Sequence, residues 1–472
     1  MMIEQTILEE RQYQRRILDL LIEYKNEASH CIVELDCGLG KRVLIYLLVE
    51  KLLKKERCLI LVDSTTSFQE TLSYLQGQYG GVSDLGYLSS RVPSRMRMQI
   101  LETSRVILST PQTLANALQK MPEKPKFDVI IINEVDKIVR RTATNQVLIF
   151  PFNSLMDYFT QFWVIGLSGT IRDSHIVYQK EQFSVRRELE SLSFFLQPLR
   201  VITMDELTGT DIDDHINKTH LVKVPIEDPN LAQLLEKLDS GIDDARREII
   251  SQTEKENPEL IENLSNQEIA QLAFNLPAED ELVQKYRTSL LVRKYVTSMM
   301  PWRFKRFLYS PQLEIDKELI DSLNNKSEKV QKVGQLVRKA QKTVVIVSYV
   351  ETAKTLYKYL ETLGIIPFLI TGTIKDKQSV LQAFRDSKSQ STIIMTSVGE
   401  RDIDLPTADQ MIVFDSINTT KTMYQRVKRT RGGTVYFLYY TNTYEERKIE
   451  RLIKNILNKY PWSTVDIGIQ TL

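Results

Sequence analysis

Short apolar runs alternate with amphipathic stretches over two long segments of the chain. In the first, from about Gln5 to Val201, the runs predict strands at Cys31–Asp36, Cys58–Val62, Leu85–Leu88, Arg105–Ser109, Asp128–Asn133 and Phe162–Leu167. In the second, from about Ser327 onward, they predict strands at Thr343–Ser348, Ile366–Ile370, Thr392–Thr396, Gln410–Phe414 and Gly433–Tyr439, then a helix over Tyr444–Tyr460. Continuous apolar strands separated by helical periodicity imply parallel sheets covered by helices on both faces. Each predicted strand ends at a polar or glycine-containing turn, where doubly wound folds place their ligands.

Between these segments the period changes. Leu231, Leu234, Leu235, Leu238, Ile242, Ala245 and Ile249 recur at helical spacing, and Gln267–Phe274 and Glu281–Met300 continue it. Pro258 and Pro277 punctuate the stretch, which carries no strand signal. The pattern predicts an α/β domain over 1–204, a helical insert over 205–323 and a second α/β domain over 324–472.

Composition changes the picture only locally. The 472 residues are 42% hydrophobic and 26% charged, which excludes disorder and disulfide scaffolds. The 62 basic and 61 acidic residues give a net charge of +1, which excludes a uniformly basic nucleic-acid coat. Inside the insert, however, the charge is segregated. Asp228 to Glu262 is acid-rich, whereas Leu282 to Leu313 contains no Asp or Glu. That second stretch carries Lys285, Arg287, Arg293, Lys294, Arg303, Lys305 and Arg306 among Tyr286, Tyr295, Trp302, Phe304, Phe307 and Tyr309. Basic side chains neutralise phosphates and aromatic ones stack on bases, so the stretch is a candidate nucleic-acid surface. The competing reading has the aromatics as core and the charges as a solvated face that balances the acidic half.

The cysteines, Cys31, Cys37 and Cys58, are odd in number and lack zinc-type spacing. His215 and His220 have no third ligand nearby, so no metal site is expected. No secretory leader and no apolar run of membrane-spanning length is present. The expectation is an intracellular protein, cytoplasmic or nucleoid-associated, without a membrane partner.

One segment carries candidate chemistry. Asp36-Cys37-Gly38-Leu39-Gly40-Lys41-Arg42 follows an apolar strand and opens a helix, the context of a phosphate-binding loop. Gly38 and Gly40 would supply the turn and Lys41 would reach the β/γ-phosphates. The next position normally carries Ser or Thr, whose hydroxyl ligates Mg²⁺. Arg42 has no oxygen to offer. The second metal support is expected in Asn133-Glu134-Val135-Asp136, where Glu134 stands as the water-orienting carboxylate. Its metal-holding Asp is replaced by Asn133, which brings no negative charge to a hard divalent ion. Two losses at one ion predict a degenerate, non-hydrolysing site, with weak residual hydrolysis and a loop of no nucleotide history as the alternatives. Arg42, paired with Glu134 or Asp136, would then fill the metal position.

With these pieces aligned, the chain resembles the superfamily 2 helicases, specifically the Hef/FANCM-type branch. Leu8-Glu9-Glu10-Arg11-Gln12-Tyr13-Gln14 resembles the entry motif and Gly38-Leu39-Gly40-Lys41 motif I. Ser109-Thr110-Pro111-Gln112-Thr113-Leu114 resembles motif Ib and Leu167-Ser168-Gly169-Thr170 motif III. In the second half, Tyr349-Val350-Glu351-Thr352-Ala353-Lys354 resembles motif IV. Thr396-Ser397-Val398-Gly399-Glu400 with Asp404-Leu405-Pro406 resembles motif V, and Gln425-Arg426-Val427-Lys428-Arg429-Thr430-Arg431 resembles motif VI. Departures beyond Arg42 and Asn133 are Arg401-Asp402, where a glycine is expected, and Lys428 in a shortened motif VI.

The resemblance implies two RecA-like domains flanking the helical insert. It implies Arg11 and Gln14 at adenine, and Gly38, Gly40, Lys41 and Arg42 at the phosphates. Arg429 and Arg431 are the implied candidate fingers. Thr110, Thr396 and Ser397 are implied at a nucleic-acid backbone, with strand-end capping as the alternative for these hydroxyls. The archaeal family member often carries a nuclease after the helicase, and none is expected by Leu472. The implied protein is an inactivated helicase that binds branched or forked DNA and serves a separate structure-specific repair nuclease, or another repair protein, as scaffold or regulator. The alternatives are an active ATP-dependent helicase with an atypical metal site and a protein-interaction module without DNA binding. No cofactor is expected to be required, with ATP binding weak and Mg²⁺ binding doubtful on these residues.

Overall fold

A computed structural model describes residues 10–78, 81–139, 155, 158–172, 174–179, 182–256, 258, 281–396, 407–415, 420–430 and 432–470. The chain divides into two compact units, Met1–Ile216 and Asn217–Leu472.

The first unit is built on a seven-stranded sheet. Its strands are β1 (His30–Glu34), β2 (Cys58–Leu61), β3 (Leu85–Leu88), β4 (Val106–Ser109), β5 (Val129–Asn133) and β6 (Trp163–Ser168), followed by β9 (Leu199–Ile202). They run in the order β3-β4-β2-β5-β6-β1-β9, and all the pairings are parallel. Helices α1 (Gln12–Asn26), α2 (Lys41–Leu47), α3 (Thr65–Ser73), α4 (Ser94–Thr103) and α5 (Pro111–Leu118) connect and cover them. The strands β1, β2, β4 and β5 are buried almost throughout, as a parallel sheet covered on both faces requires. A hairpin of β7 (Ser174–Gln179) and β8 (Gln182–Arg187), then helix α6 (Glu188–Phe195), lie between β6 and β9. The unit closes with the short helix α7 (Ile212–His215).

In the second unit a seven-stranded sheet runs in the order β12-β13-β11-β14-β15-β10-β16. These strands are β10 (Thr219–Ile226), β11 (Lys342–Val347), β12 (Ile366–Ile370), β13 (Ser391–Thr396), β14 (Gln410–Val413), β15 (Thr434–Tyr440) and β16 (Thr464–Ile469). Between β10 and β11 come α8 (Pro229–Glu256), α9 (Glu281–Ser298), α10 (Pro301–Leu308), α11 (Lys317–Ser322) and α12 (Glu328–Val337). After β11 follow α13 (Val350–Thr362), α14 (Lys377–Asp386), α15 (Thr420–Val427) and α16 (Tyr444–Lys459).

Two RecA-like α/β domains are thus present, but their boundaries differ from the expected ones. Residues 205–216 belong to the first unit rather than to an insert. The region read as purely helical also contains β10, which pairs in parallel with both β15 and β16. Its apolar alternation is obscured by Lys223, by Pro225 and by the long helix that follows. The insert's base is not a separate core either. Leu231, Leu234, Leu235 and Leu238 of α8, with Val292 and Val296 of α9 and Phe304 of α10, share one apolar cluster with Val345 and Ile412 of the sheet. Among the described residues, the far end has its own small core, around Ile242, Ile249, Val283 and Tyr286. The predicted helix at Gln267–Phe274 lies outside the described residues.

Candidate nucleotide site and nucleic-acid face

The phosphate loop begins where β1 ends. Gly40, at φ +76°, is the left-handed residue from which α2 starts, and a Cβ on it would meet the Gln14 amide at 3.5 Å. A side chain at that backbone angle would be strained, which explains the glycine. Tyr13 donates its hydroxyl to the Leu39 carbonyl at 2.8 Å and receives Arg11 Nη1 at 3.1 Å. Gln14 Oε1 accepts the backbone N–H of Arg11 at 3.2 Å. The entry segment is therefore fastened to the loop. Asp211 holds it from outside by accepting the N–H groups of Gln12 and Tyr13 at 3.0 and 2.9 Å.

Lys41 points from the loop to Glu134, with Nζ–Oε1 at 2.7 Å. Burial opposes its charge, but Glu134, with smaller help from Cys37 and Asp136, holds it protonated above the usual lysine range. Glu134 follows β5 at φ +57°, a backbone angle that is uncommon for a residue with a side chain and clusters at functional sites. Asp136 is taken by Ser168, whose Oγ donates at 2.6 Å and also accepts the N–H of Thr170 at 3.1 Å. Gly169 packs so tightly on the loop's entry that a Cβ would sit 3.0 Å from the Leu35 carbonyl. This laces Ser168-Gly169-Thr170 to the base of the phosphate loop.

Arg42 does not meet Glu134 or Asp136, the partners expected for it. Its Nη2 pairs with Glu70 on α3. Asn133 donates Nδ2 to Ser67 at 3.4 Å, while its Oδ1 is buried without a partner among the described residues. The donor set does not fit a divalent cation. One position offers a guanidinium directed to a carboxylate, and the other a neutral amide where an anionic oxygen is needed. Four residues here escaped sequence reasoning. Glu70 and Ser67 sit on α3, Glu34 on β1 and Arg172 just after β6. Arg172 grips Glu34 through two bonds of 2.6 and 2.8 Å. A carboxylate one residue before the loop's apolar lead was the available signal for Glu34.

The remaining predicted residues divide clearly. Thr110 caps α5 by position and shares a 2.9 Å bond with Thr113. Thr396 is buried at the end of β13, whereas Ser397 and the rest of motif V lie outside the described residues. In motif VI, Arg426 is buried and burial pulls its pKa down to about 10. Lys428 donates to the Asn217 carbonyl at 2.9 Å. The side chain of Arg429 and all of Arg431 lie outside the described residues.

The basic stretch of the insert turns some of its charges inward. Arg293 bonds Asp239 at 2.5 Å and lies over the Tyr444 ring at 4.1 Å. Lys285 pairs with Glu314, and Lys305 donates to the Leu323 carbonyl and to Asn325. Lys294 lies over Tyr349 at 5.9 Å, and Arg287 is half-buried on α9. Arg303 and Arg306 have no carboxylate partner among the described residues, and Trp302, Phe307 and Tyr309 are exposed around them. The aromatics are thus not simply core: Phe304 and Tyr286 are, whereas these three face solvent.

Two family matches fall on these motifs. Residues 7–173 match the type III restriction enzyme res subunit family, and residues 328–433 match the helicase conserved C-terminal domain. One match falls in each compact unit of the chain. A Methanocaldococcus jannaschii protein named as a putative ATP-dependent RNA helicase is 22% identical over 97% of this chain, which spans 64% of that relative's length. An ATP-dependent DNA helicase of Neosartorya fischeri is 24% identical over 34% of this chain and 16% of its own. The crystal structure of the Pyrococcus furiosus Hef helicase domain shares the fold with a TM-score of 0.59 and 16% identity, covering 94% of this chain and 98% of the other. Within this helicase frame, no group of three or more His, Cys, Asp or Glu suited to a metal occurs among the described residues. None of their helices is long and apolar enough to cross a membrane.

Proposed function

We propose that this helicase-family chain binds branched or forked DNA without hydrolysing nucleotide, and serves a separate repair nuclease as scaffold or regulator. The observation that carries the loss of chemistry is the pairing of both loop cations within their own domain, Lys41 to Glu134 and Arg42 to Glu70. Phosphoryl transfer in this fold depends on positioning and on metal charge, and Arg42 with Asn133 removes the metal's supports. ATP, if taken up, binds weakly, because Lys41 must leave Glu134 to reach a phosphate. DNA binding is supported by the exposed Trp302, Phe307 and Tyr309 beside Arg303 and Arg306, a combination that stacks on bases and neutralises phosphates. The DNA assignment follows the family resemblance and the name of the Neosartorya fischeri relative, against an RNA helicase name for the Methanocaldococcus jannaschii one, and the repair role follows the resemblance alone.

The test is ATP turnover with and without forked DNA, alongside a salt titration of fork binding. Turnover equal to that of Lys41→Ala is expected, with affinity falling steeply as salt rises. A second reading, ATP-driven translocation, is favoured by the retention of Gly38, Gly40, Lys41 and Glu134. Fork-stimulated turnover that disappears in Lys41→Ala would establish that reading instead. Absent or salt-insensitive binding, on DNA and RNA alike, would leave a protein-interaction module.

A further inference from the structure

The second unit buries a lysine that no nucleotide or nucleic-acid motif explains. Lys329 stands in the first turn of α12, fully enclosed, with Glu445 beside it 1% exposed. A cation there opposes its own helix dipole, and burying an ion pair is costly, so its contacts must compensate. An ammonium has three donors. Each finds an acceptor: Glu445 Oε1 at 2.6 Å, the Phe414 carbonyl at 3.0 Å and the Thr297 carbonyl at 3.1 Å.

The Thr297 carbonyl belongs to the last turn of α9, where carbonyls lack helical partners and a positive charge is favoured. The next one, on Ser298, accepts the Thr352 hydroxyl of α13 at 2.8 Å. The Thr297 hydroxyl meets Tyr444 at 3.0 Å. On the same side, Asp415 holds the backbone N–H of Ser348 at 2.9 Å, fixing the turn that leads to Tyr349 and α13. Asp239 of α8 adds a second tie, reaching Arg293 of α9 and Arg447 of α16 at 2.5 and 3.3 Å. The bonds of Lys329, Thr352, Tyr444 and Asp239 reach the last two turns of α9. Two residues later α10 begins and presents Trp302, Arg303 and Arg306.

We infer that Lys329 is a positioning residue that locks the end of α9 to the turn after β14 and to the first turn of α16, so that the aromatic and basic face of α9 and α10 is preassembled on the second α/β domain. This rests on reading that face as the nucleic-acid surface. A strand then binds without first ordering two helices, which is where preorganisation adds affinity.

The experiment compares Lys329→Met with Lys329→Met/Glu445→Gln in the full chain. The double variant removes both members of the buried ion pair, so its melting temperature is expected to stay closer to that of the natural sequence than the single variant's does. Amide hydrogen exchange across residues 294–303 should nonetheless accelerate, and fork affinity should fall by about tenfold, the effect of one lost charge-assisted bond. Natural exchange rates and affinity in the double variant would overturn the inference, since Lys329 would then only neutralise Glu445. Arg303→Ala/Arg306→Ala separates the two readings. Slow exchange with lost affinity supports both, whereas full affinity in that variant defeats the surface reading and leaves the exchange rates to decide the lock.

Discussion

Arg42 occupies the position of the phosphate loop where a hydroxyl would touch a metal ion, and its side chain leaves the loop for Glu70 on α3. Both partners are partly exposed, at 34% and 28%, so the pair adds at most about 1 kcal/mol to stability and its removal leaves the fold intact. Asn133 contributes a neutral amide with one buried oxygen that has no partner among the described residues. If these two residues alone disable the cation site, Arg42→Thr/Asn133→Asp should create one. Calorimetry with a non-hydrolysable ATP analogue is expected to show binding tightened about tenfold or more by Mg²⁺ over EDTA, the size of one hydrogen bond to a charged group. The natural sequence should show no Mg²⁺ effect, and tightening there would remove the premise. The departures of Arg42 and Asn133 from a metal-binding pattern were legible from the side chains themselves. The partner was not: Glu70 lies 28 residues from Arg42, and only the packing of α3 beside the loop brings them together. The two candidates read from the sequence are already engaged, Glu134 by Lys41 and Asp136 by Ser168.

Helix α1 carries Arg11, Tyr13 and Gln14 to the loop, and its first turn is held by a residue almost two hundred positions away. Asp211 accepts two N–H groups that no intrahelical carbonyl can reach. Burial alone would raise its carboxyl, but the bonds from Tyr13 and Gln12 outweigh it and hold the group below the usual carboxylate range. A carboxyl depressed in the folded state stabilises above its unfolded pKa and loses that contribution as pH falls through its folded one. Asp211→Ala should therefore cost about 1 kcal/mol at neutral pH. In urea unfolding the gap from the natural sequence should close below about pH 4. An equal gap at both pH values would assign the loss to packing rather than to the carboxylate. Among elements, the parallel strands were the most legible, and even the edge strands Leu85–Leu88 and Ile366–Ile370 match residue for residue. Long apolar runs leave little choice of conformation. β16 was missed because Asp466, Gly468 and a register shift against β10 break its alternation. The β7–β8 hairpin carries no turn signal of glycine or asparagine between its strands.

The largest consequence of the corrected boundaries concerns which piece of the molecule can fold. A cut at residue 324, where the sequence pattern alone places the start of the second α/β domain, removes β10 from between β15 and β16. β16 then loses the strand it pairs with, and β15 loses the edge that covers it. The same cut strips α9 and α10 from the apolar cluster they share with the sheet, and it leaves Lys329 without the Thr297 carbonyl. An apolar edge of this kind aggregates or frays. A cut at residue 217 keeps every one of these contacts, because the unit from Asn217 to Leu472 contains both the strand and the insert. The fragment 217–472 should thus unfold in one cooperative thermal transition and resist limited proteolysis, whereas 324–472 should be soluble only with difficulty and melt without a sharp transition. Cooperative melting of 324–472 at the temperature of the longer fragment would show that β10 and the insert are accessories. The opposite result would make the insert part of the second domain's own fold, so that whatever binds its exposed face acts on that domain as one body.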